Sequence, residues 1–505
     1  MLLLGYDIGS SSVKGAILDG ETGRCLASAQ YPPHELAIDA PAPGWAEQHP
    51  DTWWDCLTEV TRALLASGAA APDAIGAIGI SYQMHGLVVT DESGSPLRPS
   101  IIWCDSRAVA IGAQAFEALG SAYCLGHLLN SPGNFTASKL RWVREQEPEI
   151  YRRIRYFMLP GDYLAFRLSG TAATTLSGLS EGICWDFAEN RPARALLDYY
   201  GISPELIPPL VPVFGEQGRL SGPAARTLGL PEGIPITYRA GDQPNNALSL
   251  QVLQPGEVAA TAGTSGVVYG VSGEVRFDPQ SRVNSFAHVN HGPETRIGIL
   301  LCVNGSGILN SWMRRHAGAG LSYADMNALA AQAPAGAEGL RILPFGNGAE
   351  RLLGNLDPGC RILGLDFNRH SRSHLFRAAQ EGIVFAFQYG LEAMADTGLR
   401  PGVIRAGMAN LFLSPLFREA LAALSGVPIE LFNTDGAQGA ARGAGIGAGY
   451  YASPAEAFAG LACTARIEPD ASLSGPYRDA YAHWSQLLAH TLRERHGIGE
   501  VSMNP

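Results

Sequence analysis

A chain of 505 residues with 46% hydrophobic and 16% charged side chains is globular in composition and long enough for more than one core. Its net charge of −11 argues against a nucleic-acid partner, which calls for a basic face. No window approaches the ~20 apolar residues of a membrane span, and Asp7 interrupts the apolar start too early for a signal peptide, so a soluble, cytoplasmic protein is expected. Eight scattered cysteines without a C-x-x-C pair predict reduced, mostly buried thiols rather than disulfides or a zinc site.

The chain opens on a predicted hairpin. Leu2-Leu3-Leu4 reads as a strand, Ala16-Ile17-Leu18 as its return, and Gly9-Ser10-Ser11-Ser12 as the loop between. Small residues let backbone N–H groups approach a phosphate, and the hydroxyls of Ser10, Ser11 and Ser12 add donors. Asp7 suits a hydrated Mg²⁺, and Lys14 a terminal phosphate. Taken alone, the loop is equally readable as an ordinary Gly/Ser hairpin tip.

A helix follows from Pro50, with Trp53, Trp54, Leu57, Val60 and Leu64 near helical spacing and Gly68 beyond its end. The strand Ile75–Ser81 then opens into Gln83-Met84-His85-Gly86. Ligands collect past strand ends in open α/β sheets, so His85 is expected to donate to a substrate hydroxyl and Gln83 to bond two. The alternative is a satisfied loop histidine beside a core methionine. Trp103-Cys104-Asp105-Ser106-Arg107 and Thr136-Ala137-Ser138-Lys139-Leu140-Arg141-Trp142 come next.

With Gln83-Met84-His85-Gly86, these two segments resemble the FGGY family of carbohydrate kinases, and the similarity runs over essentially the whole chain. Within that family Gln-Met-His-Gly is similar to the xylulokinase form; glycerol kinases carry an arginine–glutamate pair there. The resemblance implies a sugar site that includes Gln83, Met84, His85, Trp103 and Asp105. It also implies that Thr174–Asp186 is a serine-rich, lid-like segment. Leu206–Gly222 is proline-rich and reads as a surface excursion.

A strand from Ile236 ends in Gly241-Asp242-Gln243 before a helix. Asp242 is placed to take a proton, or to act as the N-cap of that helix. The resemblance implies that Asp242 is the general base, that Gln243 lies in the sugar site, and that a domain boundary follows, giving residues 1–249 and 250–505.

The second half repeats the opening device: a strand from Val258 runs into Gly263-Thr264-Ser265-Gly266 and out into another strand. A long-period repeat of one supersecondary unit predicts two related halves, and two phosphate hairpins make a clamp for a nucleoside triphosphate without a Walker loop. The pattern resembles the actin-like, ribonuclease-H-like ATPase fold, here as two α/β domains about a central cleft. The resemblance assigns Gly307 and Ser311, and Gly407 and Asn410, to the nucleotide site. Met408 and Ala409 depart from the glycine run usual there, though methionine can pack on adenine. Gly436 to Gly449 reads as a small-residue helix for close packing, and Ala471–Pro505 as a polar helical tail.

These expectations combine into ATP- and Mg²⁺-dependent phosphorylation of a small ketose, with D-xylulose first and ribulose, gluconate or glycerol as alternatives. A non-enzymatic, actin-like assembly protein is the remaining class. The partners expected are a sugar and ATP, with neither nucleic acid nor membrane, and a homodimer stays open.

Overall fold

The protein, seen here as a computed structural model, is described over residues 1–496. Its two large sheets follow one plan. The first contains β1 (Leu2–Ile8), β2 (Val13–Asp19), β3 (Cys25–Tyr31), β4 (Ile75–Tyr82), β5 (Phe214–Arg219) and β6 (Pro235–Gly241), in the order β5-β6-β4-β1-β2-β3. The second contains β7 (Glu257–Ala262), β8 (Gly266–Ser272), β9 (Asn284–Ala287), β10 (Ile297–Val303), β11 (Val403–Gly407), β12 (Ile429–Phe432) and β13 (Cys463–Ile467), in the order β9-β10-β8-β7-β11-β12-β13. In each, an antiparallel hairpin is joined through its first strand to two parallel strands: β1 to β4 and β6, and β7 to β11 and β12. This is the two-domain ribonuclease-H-like architecture that the paired hairpins predict.

Seven helices matter for the site: α1 (Pro50–Ala66), α2 (Thr136–Gln146), α3 (Leu176–Glu181), α4 (Asp242–Ser249), α5 (Ser306–His316), α6 (Arg372–Asp396) and α7 (Gly436–Gly447). The spacing that predicts α1 also buries it, since Trp53, Leu57, Val60 and Leu64 join Tyr6, Ile8, Val13 and Ile17 of the first sheet in one apolar cluster. α6 plays the same part in the second half, where Ile383, Val384 and Phe387 meet Val268 and Leu301.

α7 behaves as its small residues predict, but it crosses between the halves. It follows β12 of the second sheet and lies on the first. A Cβ at Gly5 of β1 would overlap the Ala437 carbonyl oxygen, and one at Gly79 of β4 the Ala440 carbonyl oxygen. Thr237 of β6 donates from Oγ1 to the Ala444 carbonyl at 2.7 Å. α4 crosses the other way: it follows β6, and Ala247 packs in one cluster with Ala259 and Tyr269 of the second sheet.

Three expectations need correction. Leu206–Gly222 is not a surface excursion, because β5 within it pairs antiparallel with β6 and forms the edge of the first sheet. Glycines at 215 and 218, both with φ near +150°, permit the irregular pairing there, and they also hid the strand from its composition. Thr174–Asp186 is not a lid. All but Leu176 are buried, and Ser180 Oγ accepts from the Ala287 N–H of β9 at 2.8 Å. The cysteines are free thiols, but Cys104, Cys360 and Cys463 are exposed and only Cys56, Cys124 and Cys184 are buried. The predicted C-terminal tail is a helix, Ala471–His496, and residues 497–505 of that expectation lie outside the described residues.

The backbone-to-backbone seat of α7 predicts a sharp glycine requirement. Gly79→Ala costs roughly 1–3 kcal/mol or more, because neither carbonyl nor strand can yield cheaply. Gly475→Ala, in a helix with nothing within 4 Å of the new methyl, is neutral or stabilising. Thermal denaturation of the two variants side by side checks this.

Candidate active site

Strand register gathers the first set of candidate residues. Asp7 lies opposite Lys14 on β2 and Ser81 on β4, and Tyr82 lies opposite Gly241 on β6. The Gln83 N–H donates to the Ile8 carbonyl at 2.8 Å and prolongs the ladder by one residue. Gln83-Met84-His85 and Asp242-Gln243 therefore leave neighbouring parallel strands at the same end, with Asp7 beside them. Ser81 Oγ donates to Asp7 Oδ1 at 2.8 Å.

Asp242 is the first residue of α4, and the N-cap position belongs to Gly241, without a side-chain cap bond. Its carboxylate is thus not spent on capping. Oδ1 is buried without a hydrogen-bond partner, while Gln243 supports the group through its N–H and side chain. Burial, and then the negative charge of Asp7, push the Asp242 carboxyl up to about 7. Asp7 is itself raised, chiefly by burial, with Ser81 and Lys14 opposing.

His85 sits in the left-handed region at φ 60°. Two contacts hold it there. Its Nδ1–H donates to the Glu181 carbonyl at 2.9 Å. Lys139 Nζ, fully buried on α2, donates to the His85 carbonyl at 2.8 Å and to the Ile102 carbonyl at 3.0 Å. Phe135 and Phe286 flank the ring, with centroids at 4.7 and 5.3 Å. Burial, reinforced by the Lys139 charge, brings the His85 pKa down to about 3. Burial likewise lowers Lys139 to about 7, against the pull of Asp105. The neutral ring with its proton on Nδ1 leaves Nε2 as an acceptor. This reverses the expected polarity: the ring nitrogen that His85 leaves free is an acceptor, not a donor. Gln83 is 2% exposed, and neither side-chain amide atom has a partner.

Asp105 leaves the predicted sugar set. It is fully buried; Oδ2 accepts from the Ala46 N–H at 2.6 Å and pairs with Arg107 at 2.7 Å, and Oδ1 accepts from the Arg107 N–H at 2.8 Å. Arg107 also pairs with Glu47 and lies 3.9 Å above the Trp45 ring. A carboxylate so fully engaged is structural. Trp103 is half exposed, and its Nε1–H donates to Ser10 Oγ at 3.2 Å, which ties it to the first hairpin loop. Within that loop the Gly9 N–H donates to the Ser12 carbonyl at 3.0 Å, and from outside it the Leu36 N–H reaches the Ser11 carbonyl at 2.8 Å and Gln48 Nε2 the Ser10 carbonyl at 2.7 Å.

The second set collects around the β7–β8 turn. Gly307 on α5 is pressed against Gly263: its N–H donates to the Gly263 carbonyl at 2.8 Å, and a Cβ there would overlap that oxygen. The Ile308 N–H reaches the Thr264 carbonyl at 3.2 Å. Thr264 and Ser265 are exposed, with Ser265 Oγ donating to Asn304 Oδ1 at 3.4 Å. Asn410, exposed at φ 53°, brings its side-chain amide against Gly263. Ser311 is half-buried one turn beyond Gly307, and Gly407 ends β11. Met408 packs on the second core. The two sets are joined by α7: Gly436, at its start, lies against the Asp7 carboxylate, and Thr434 just before it hydrogen bonds Ser249 of α4 at 2.8 Å.

Sequence reasoning missed Glu181 and the special position of Lys139. Lys139 lies in a run, Thr136 to Leu140, that is buried all round α2. Glu181 stood in an otherwise apolar and small run, Leu179 to Ile183.

Comparison with known proteins agrees with this geometry. The model of the FGGY family of carbohydrate kinases, N-terminal domain, matches residues 2–249, and that of the C-terminal domain matches residues 258–452. Over 502 residues the chain is 29% identical to the xylulose kinase of Escherichia coli (strain K12), covering 97% of this chain and 99% of that one. The crystal structure of xylulose kinase from Rhodospirillum rubrum superposes with a TM-score of 0.88 at 26% identity, covering 98% of this chain and 100% of that one. Plasmodium falciparum glycerol kinase with ADP, at 18% identity and a TM-score of 0.86 over 97% of this chain and 98% of that one, shares the fold. With both halves matched in order, and the sheet ends that carry the candidate residues inside those matches, this chain belongs to the FGGY family of carbohydrate kinases.

Proposed function

We propose that this kinase transfers the terminal phosphoryl group of ATP to D-xylulose, giving D-xylulose 5-phosphate, with Asp242 as general base. One observation carries the reading: a carboxylate freed from capping and poised near neutrality stands beside a neutral, hydroxyl-accepting His85 and an unpartnered Gln83. The similarity to proteins named xylulose kinase supports the choice of sugar.

Phosphoryl transfer asks a protein mainly to align and to neutralise charge. Asp242 accepts the proton of the attacking hydroxyl. Met84, His85, Gln83 and Gln243 orient the sugar, with Trp103 at the side of the first hairpin. Ser10, Ser11, Ser12 and Lys14 from that hairpin, with Gly263, Thr264 and Ser265 from the second, take the phosphates. Gly307, Ser311, Gly407 and Asn410 border the nucleoside. Asp7 fits a hydrated Mg²⁺, because Oδ1 is fixed by Ser81 and Oδ2 stands where residue 436 must lack a Cβ. When bound there, the ion would offset negative charge on the phosphates. Residues 1–249 and 250–505 act as two domains in this reading, each with its own sheet, with α4 and α7 as the crossing elements.

The decisive experiment is ADP release over a panel of ketoses, aldoses and polyols. D-xylulose is expected to give the highest kcat/KM, and gluconate or glycerol exceeding it overturns the substrate.

Asp242→Asn keeps the shape of the side chain but cannot take a proton. Turnover is expected to fall by roughly 10²- to 10⁴-fold, with MgATP affinity and melting temperature near wild type. Wild-type-like kcat from well-folded protein rejects Asp242 as the base.

The ionised form of Asp242 is the active one, so activity declines as pH falls through its pKa. For the free enzyme, kcat/KM for the sugar is expected to drop below about pH 7. MgATP carries net negative charge, which disfavours a neighbouring carboxylate, so the acid limb of kcat is expected at no lower pH than that of kcat/KM. An acid limb of kcat well below that of kcat/KM, or no limb between pH 5 and pH 8, contradicts this.

A further inference from the structure

Buried polar atoms are almost always hydrogen bonded, so several unpartnered ones at one place call for an explanation. Near the ends of β4 and β6, both amide atoms of Gln83 and Oδ1 of Asp242 lack partners, and the buried Glu181 carboxyl is met by the Tyr82 hydroxyl. Glu181 is the least expected member. It is 2% exposed and ends α3. Its main-chain carbonyl holds His85 Nδ1 at 2.9 Å. Its Oε2 lies 2.6 Å from where a Cβ on Gly241 would stand, and Met84 Cγ is also 2.6 Å from that point. One residue thus touches the histidine through its backbone, and through its carboxyl the junction of Met84 with the glycine preceding Asp242.

Packing alone does not account for a carboxyl here. An apolar side chain of similar volume would fill the same space between Tyr82, Met84 and Gly241 without a desolvated acid. Burial, opposed by the Tyr82 hydroxyl and reinforced by Asp242 and Asp162, drives the Glu181 pKa well above the carboxylate range, so the group is a neutral acid that keeps hydrogen-bonding capacity beyond its contact with Tyr82. That inventory suits a hydroxyl, which both donates and accepts.

We propose that the Glu181 carboxyl is a specificity-determining group of the sugar site, which hydrogen bonds a hydroxyl of the polyhydroxylated substrate beside the one that reacts at Asp242. This rests on the sugar-kinase reading above and adds a contact outside the Gln-Met-His and Gly-Asp-Gln segments. The unpartnered amide of Gln83, and the capacity of the Glu181 carboxyl beyond its contact with Tyr82, then find their partners on the substrate.

The test compares Glu181→Gln, Glu181→Leu and Glu181→Ala, measuring KM for D-xylulose, KM for MgATP, kcat and melting temperature. Leu keeps bulk and removes both oxygens. It is expected to hold or raise the melting temperature, to raise the sugar KM roughly tenfold or more, and to leave the MgATP KM within about twofold. Ala shares the KM expectation and covers a failure of Leu to fold. Gln keeps a donor and an acceptor and is expected to stay within about threefold of the wild-type sugar KM. Unchanged sugar KM in Leu or Ala overturns the inference, as does a loss that follows only the fraction of folded protein or a failure of both to fold. If wild type phosphorylates no ketose, the sugar reading fails first, and the two failures are told apart by the wild-type control.

Discussion

The contact on which the rest depends is the seat of α7 on the first sheet. Gly5 and Gly79 on neighbouring strands let a helix from the other half come down to backbone contact, where any side chain would collide with a carbonyl oxygen. Such an approach admits no slack, because neither a strand within a six-stranded sheet nor a helix with satisfied hydrogen bonds can shift alone. It fixes where α7 begins, and that start lies against Asp7. The reciprocal crossing of α4 fixes where Asp242 begins its helix. Asp242, the proposed base, and Asp7 are therefore located by the same pair of crossed helices, not by the loops that carry Gln83-Met84-His85 and Ser10-Ser11-Ser12.

A second set of contacts closes the sugar end. The edge strand β9 docks on the first half through the Ala287 N–H to Ser180 and the Asn130 side chain to the Ser285 carbonyl at 2.6 Å. Phe286 between them packs on His85. The apolar cluster here draws Met84, Leu179 and Trp185 from one half and Tyr269, Phe286 and Leu300 from the other. Relative motion of the halves must pivot on this seam and on the crossed helices. The turns at Ser11 and at Thr264–Ser265 lie outside these contacts and are exposed, and they are the turns to which the proposed function assigns the phosphates.

Much of this was legible in the sequence. Each hairpin showed as apolar strand, Gly/Ser turn and apolar return, and finding it twice gave the two-sheet plan. Gly-Asp-Gln and Gln-Met-His were readable because they interrupt buried strands at their ends. The misses share a cause: a side chain's partner is invisible until the fold supplies it. Asp105 looked free because one of its partners, Ala46, lies 59 positions away, although the other, Arg107, stands only two residues on. His85 looked like a donor because the Glu181 carbonyl that takes its proton is 96 positions away. β5 was hidden by the glycines that its irregular pairing requires. The small residues of α7 announced close packing, yet nothing local said that the neighbour would be the opposite sheet.

The site also shows why this fold serves a family rather than a single sugar. Its rigid parts, the strand ends and crossed helices, position charge and base, and those needs are common to every alcohol that receives a phosphoryl group. The parts proposed to read hydroxyls are short: His85 held at positive φ by Lys139 and Glu181, Gln83 one residue past its strand, and the flexible Met84 between them. Each unpartnered polar group left there costs about 1–3 kcal/mol of folding stability. Two large cores can offset that cost, and the same groups regain it when a substrate hydroxyl arrives with the matching donor or acceptor. A sugar lacking that hydroxyl, or presenting it from the wrong face, leaves the group unpaired. On the proposed reading, discrimination therefore comes from a few buried, unpartnered groups, and it can change by substituting two or three residues without disturbing either sheet.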